Sequence, residues 1–325
     1  MIQPRELRKE RPMKLSEGVW STTTKVWEIL SASAVGDLAI VKQLGGECPQ
    51  LLYAQFNYAP PIHFAVREGH VELVKFLLDN GAHDPGYGIY PFLDSLQTVA
   101  GDRGFTGIVE MLDEYQADTS KHRFKGDNGE IDYQRSDEET RFEKAVDAEN
   151  YEEVKDILDR HPEFALDDSF FWSEGILLFA AKENNRKMAD LLMSYGAKVP
   201  SLLKWTQFYY FERLDGATYM IENGMDPNTM SYQRVTILHD MAQKGSIEKA
   251  ELLLKHGADI DPIDLAYQST PLGLAARWGR VEMAEFLMSA GADPRKGGAA
   301  WSTPMAWASA KGNSEIEKLL RSVKG

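Results

Sequence analysis

Apolar positions along most of the chain recur with the spacing of short amphipathic helices, and pairs of these runs are punctuated by glycine at a fixed interval. In PIHFAVREGHVELVKFLLDNGA, beginning at Pro61, one run stops at Gly69 and the next at Gly81; in TILHDMAQKGSIEKAELLLKHGA, beginning at Thr236, the stops are Gly245 and Gly257. Each stretch predicts helix, turn, helix. Ala65 and Val66, or Ala275 and Ala276, give the first helix a narrow face for close approach. Val71, Val74, Phe76, Leu77 and Leu78 give the second an apolar side too broad to bury within one unit. Every unit therefore needs its neighbours.

Equivalent first-helix stops fall at Gly36, Gly69, Gly104, Glu149, Asn184, Glu212, Gly245, Gly279 and Gly312, and most steps span 33 to 35 residues. Pro61, Pro271 and Pro304 sit at first-helix starts, where a missing backbone N–H is harmless. The pattern Thr-Pro-Leu, an alanine pair, Gly and a closing Gly-Ala-Asp, seen from Thr270 to Pro294 and with variations from Pro61 and Thr236, resembles the ankyrin repeat. The resemblance extends with weaker units from Lys25 to Arg321. It implies an all-α ankyrin-repeat solenoid of about nine helix-turn-helix repeats, several degenerate, and a binding module without catalysis of its own. It also implies that His63 and His239 hydrogen-bond between adjacent turns.

Two steps break the period. The first is long, and its excess falls in a polar, charged stretch that reads as a linker or insertion. The expected organisation is a polar, basic segment over 1–22, repeats one to three over 23–115, the linker over 116–138, and repeats four to nine with a polar C-terminal cap over 139–325. The second break is short and contains LLKWTQFYYFERLDG, where Phe208 and Tyr209 stand in place of the small pair and Glu212 in place of glycine. Rings at a close-packing position are expected to bend or pinch the array, turning Trp205 and some of the four rings that follow it toward the groove.

Composition narrows the function. With 36 Lys and Arg against 50 Asp and Glu, the net charge of −14 disfavours a phosphate backbone, so no nucleic-acid partner is expected. No long uncharged apolar run is present, so no membrane span is expected either. Cys48 is the single cysteine, and the default address is the cytoplasm. No metal or cofactor motif occurs.

Phe64, Phe179, Asp240 and Trp307 occupy the outward position of the first helices, the surface that such a solenoid turns to its concave groove. With Trp172, Trp205 and Trp278 they are the expected contacts for a protein or peptide partner, recognised through an aromatic-rich, acidic concave groove. The alternative is a cleft that binds or hydrolyses a carbohydrate or other small molecule, with Asp168, Glu174 and Asp240 as acids; the separation of those carboxylates is its test.

Overall fold

The computed structural model describes residues 1–86, 88–89, 92–123, 129–204 and 210–322. It divides into two units, one of residues 3–133 and one of residues 134–325 with Met1–Ile2. The division falls within the segment read from the sequence as a linker.

Helix pairs build both units. The first contains Thr23–Val35 with Leu38–Glu47, Pro61–Glu68 with Val71–Asp79, and Leu96–Asp102 with Thr106–Ala117. The second contains Asp137–Asp147 with Tyr151–Arg160, Leu178–Lys182 with Arg186–Ser194, the helix Leu214–Glu222, Ile237–Lys244 with Ile247–Lys255, Pro271–Arg277 with Val281–Ser289, and Pro304–Lys311 with Ser314–Ser322. First helices pack in series: Ile237–Lys244 on Pro271–Arg277, and that on Pro304–Lys311. Ala275 and Ala276, expected at these seams, are fully buried, and so are Ala242 and Ala308.

Local chemistry fixes the ends of these helices. Thr236 caps Ile237–Lys244 by accepting the His239 N–H, while His239 Nδ1 accepts the Thr236 N–H. His239 Nε2 bonds the Ser269 carbonyl at 3.1 Å. The bridging role implied for this histidine is therefore present, with the ring neutral. Gly69 and Gly245 adopt φ of 78° and 76° at the helix ends, a left-handed conformation that costs glycine little. Glu149 and Asn184 adopt φ of 53° and 55° at equivalent positions without that freedom.

A recurring clamp joins neighbouring pairs. After three of the stops the side chain reaches back to a carbonyl near the end of the preceding first helix: His70 Nε2 to Ala34 at 3.2 Å, Arg280 Nε to Gln243 at 2.9 Å, and Asn313 Nδ2 to Ala276 at 2.6 Å. These bonds satisfy acceptors that a helix terminus leaves open.

One element was not foreseen. Within residues 3–133 the segment expected to be simply polar carries strands Pro12–Ser16 and Val19–Thr22, and Pro12–Ser16 also pairs antiparallel with Glu130–Ile131. Met13, alternating inward, is fully buried. Part of the presumed insertion thus completes a small sheet.

Candidate partner-recognition surface

The outward position of the first helices is far less open than its residue types suggest. Phe64 and Trp307 are 0% and 1% exposed, and Asp240 is 2% exposed, while Phe179 is half-buried. The expected exposure of Phe64, Trp307 and Asp240 is therefore corrected. Trp307 is held by its neighbours' turns: its indole Nε1 donates to Ser269 Oγ at 3.1 Å, and Ser269 Oγ donates to the Ser302 carbonyl at 2.9 Å. Tyr267 and Trp301 meet Trp307 edge-on, with ring centroids at 6.1 and 5.5 Å. Trp278 is half-buried and packs edge-on against Tyr267. Phe64 lies under the Arg67 guanidinium at 5.1 Å and against His63.

Trp172 behaves differently. It is 62% exposed on a turn in which Phe171, Trp172 and Ser173 have φ of 48°, 60° and 67°. Left-handed backbone costs about 1–2 kcal/mol per non-glycine residue, so three in succession require external support. That support is visible. The Phe171 N–H donates to Glu143 Oε1 at 3.0 Å, and Arg135 stacks over Phe170 at 4.2 Å while donating to Ser169 Oγ at 2.9 Å. Below the turn Phe171 packs on Phe179 at 4.5 Å, which joins one finger ring to a first-helix ring.

The carboxylates of the alternative reading are placed as follows. Glu174 is 0% exposed; its Oε1 accepts the Lys204 N–H at 2.9 Å and its carbonyl accepts the Tyr210 hydroxyl at 2.7 Å. Asp240 lies 2.7 Å from Lys244 Nζ, and burial pushes its carboxyl up to about 6 against that pairing. Asp168 is half-buried. Glu174 thus braces the same region as the Trp172 turn, and both buried acids serve internal contacts.

Trp205, Phe208 and Tyr209 lie outside the described residues. Tyr210 and Phe211, the last two rings of that cluster, are buried. Residues not foreseen at this surface are Glu143 and Arg135, which fix the Trp172 turn, and Arg277, whose guanidinium lies within 4.1 to 5.2 Å of the rings of Trp278, Tyr267 and Trp307. The sequence holds a signal only for Arg277, which adjoins Trp278 in the last helical turn. Among the described residues no group of three or more His, Cys, Asp or Glu side chains is arranged to hold a metal ion, and no helix is long and apolar enough to cross a membrane.

Comparison with known families agrees with the helix pairs. Residues 205–297 match "Ankyrin repeats (3 copies)", and residues 57–87 match "Ankyrin repeat". With the repeated helix pairs, these matches show ankyrin repeats in the chain. Among curated proteins it is 30% identical over 124 residues to Palmitoyltransferase ZDHHC13 of Mus musculus, covering 38% of this chain and 20% of that protein. It is 33% identical over 93 residues to Palmitoyltransferase ZDHHC17 of Danio rerio, and 33% identical over 94 residues to Palmitoyltransferase Hip14 of Drosophila melanogaster; each covers 29% of this chain and 14% of the relative. The chain matches a fifth or less of the length of these relatives. The repeats support a role in protein–protein interaction.

Proposed function

We propose that the chain is an interaction scaffold that recognises a protein partner through the first-helix face and the finger turns beside it. Trp172 is the leading contact, with Phe179 and Trp278 as partly exposed neighbours. Phe64, Trp307 and Asp240 act beneath the surface, shaping it rather than touching the partner. Trp205 belongs to the same proposed surface by its place in the sequence. The observation that carries the reading is a large ring held out on a backbone that is unfavourable unless braced. Strain of this kind concentrates at functional sites, and an exposed tryptophan on a rigid mount is a strong candidate for a binding hot spot.

Capture of proteins from native extract by immobilised wild type and by Trp172→Ala tests the proposal. Loss of specific captured proteins in the variant supports it, and an identical set in both contradicts it. Palmitoyltransferase activity, named in the relatives, is not proposed for this chain, which matches a fifth or less of their length.

A further inference from the structure

Strand Val19–Thr22 is an edge of the small sheet in the 3–133 unit, with Pro12–Ser16 lying between it and Glu130–Ile131. The register fixes which of its backbone groups point outward. The Asp132 N–H donates to the Pro12 carbonyl at 2.9 Å, so Pro12 and Lys14 direct their backbone bonds toward Glu130–Ile131. The Thr23 N–H donates to the Arg11 carbonyl at 3.0 Å, so Arg11 and Met13 bond the other way, toward Thr23 and Ser21. Backbone groups alternate sides along a strand. Trp20 and Thr22 therefore direct theirs to the outer edge, where no other strand pairs among the described residues.

Native sheets usually blunt such an edge with charge, proline or a covering element. At the opposite edge Glu130–Ile131 is two residues long and carries a carboxylate. Val19–Thr22 has neither charge nor proline, and Trp20 is 52% exposed. Trp20 stands opposite Lys14, which stands opposite Glu130, while neighbouring Met13 is buried, so the indole lies on the outer face of the sheet. An added antiparallel strand meets three backbone groups: the Trp20 N–H, the Trp20 carbonyl and the Thr22 N–H. The Thr22 carbonyl opens helix Thr23–Val35 instead. A side chain opposite Trp20 on the added strand packs against the indole.

Charge selects the occupant. Residues 3–25 carry six Lys and Arg against three Glu, whereas the rest of the chain carries 30 Lys and Arg against 47 Asp and Glu. Lys14 pairs with Glu17 and Lys25 with Glu47, so the local excess rests on Arg5, Arg8, Lys9 and Arg11 against Glu6 and Glu10. Thr23 Oγ1 donates to the Lys9 carbonyl at 2.6 Å, which holds this basic run alongside the end of the strand. Strands stand about 4.8 Å apart. An added strand lies two spacings from the run, about one Debye length at 0.1 M salt. A second copy of the chain would bring two such basic runs together. We propose that the Val19–Thr22 edge takes up an extended, acidic segment of a protein partner as a fourth, antiparallel strand, with an apolar side chain against Trp20. This contact goes beyond the Trp172 turn and does not depend on it.

Fluorescence anisotropy on the full chain tests this with the labelled, end-blocked peptide Glu-Asp-Thr-Val-Tyr-Val-Thr-Glu-Asp. Binding is expected, weakening about three-fold or more from 50 to 300 mM NaCl as the charges are screened. Alternate amides of an added strand face the edge, so N-methylation of the peptide at its tyrosine and threonines is expected to abolish binding. N-methylation at its two valines is expected to spare it. Trp20→Pro deletes an outward N–H without removing a bond inside the sheet, and is expected to abolish binding. Trp20→Thr keeps strand propensity but removes the ring, and is expected to weaken binding about three-fold or more. Circular dichroism confirms folding of both; should Trp20→Pro fail to fold, Trp20→Thr and the methylated peptides carry the test. Trp172→Ala is expected to bind the peptide as wild type does. No binding of the acidic peptide, tighter binding of a counterpart with lysine for every acid, equal binding by Trp20→Thr and wild type, or equal effects of the two methylation patterns overturns the proposal. So does a dimer in light scattering that Trp20→Pro dissociates, because the edge then holds a second copy. If the acidic peptide fails while Trp172→Ala abolishes capture of native proteins, the strand edge falls and the recognition reading survives.

Discussion

The Glu143 carboxylate accepts the backbone N–H of Phe171 at 3.0 Å, across 28 residues of sequence. This bond ties the first helix of one pair to the finger of the next and fixes the start of the left-handed turn. A charge-assisted hydrogen bond contributes on the order of 1.5–3 kcal/mol. Glu143→Ala is expected to lower the free energy of unfolding by about that amount and to raise amide exchange at Phe171 and Trp172. Unchanged exchange there would show that the turn is held by other contacts alone.

The turn itself makes a prediction of opposite sign to ordinary helix propensity. Trp172 has φ of 60°, so glycine fits its backbone better than alanine. Trp172→Gly is expected to be about 1 kcal/mol more stable than Trp172→Ala. Equal stability, or greater stability of the alanine variant, in denaturant titrations would contradict the left-handed assignment.

Trp307 and Trp172 should separate cleanly in stability. Trp307 is buried with its indole N–H bonded, and truncating such a residue costs about 3–5 kcal/mol. Trp172→Ala removes an exposed side chain and should cost no more than about 0.5 kcal/mol. Thermal melts of the two variants check this. A loss of partner binding in Trp307→Ala therefore reports on folding, whereas one in Trp172→Ala reports on contact.

Asp240 gives a pH signature. Burial raises its carboxyl from the ordinary 3.8 to about 6 in the folded chain, so between these values the folded state holds more protons than the unfolded one. Stability from this group accordingly falls as pH rises from about 4 to 6 and is lowest above that window. Buried His239, with its imidazole pushed down by desolvation, acts oppositely: its contribution is present above 6.5 and is lost on acidification. Comparing Asp240→Asn with wild type cancels the histidine. The variant is expected to gain on the order of 3 kcal/mol relative to wild type between pH 4 and 7. A pH-independent difference would contradict the buried-acid account.

The array was legible because its rules are local. Glycine at a left-handed helix end, proline at a first turn and alanine at a seam each follow from one residue's geometry, and their recurrence at Gly69, Gly245, Pro271 and Ala275 discloses the pairs. The sheet was not legible: Pro12–Ser16 and Val19–Thr22 are short, and Glu130–Ile131 joins them from more than a hundred residues away. Exposure at the candidate site was legible only in part. Phe64, Phe179, Asp240 and Trp307 share a register position, but their burial depends on neighbours such as Tyr267 and Trp301 that a register does not place. Trp172 was singled out for its ring, yet nothing in FFWSEG announces three left-handed residues ahead of the glycine.

The most direct test of recognition through the Trp172 turn is site-specific photo-crosslinking in native extract. A benzophenone side chain replaces Trp172 in one protein and the outer-helix residue Lys155 in another, with adducts identified by mass spectrometry. Discrete protein adducts from position 172, absent from position 155, are the predicted result. Adducts from position 155 with none from position 172 would contradict the account.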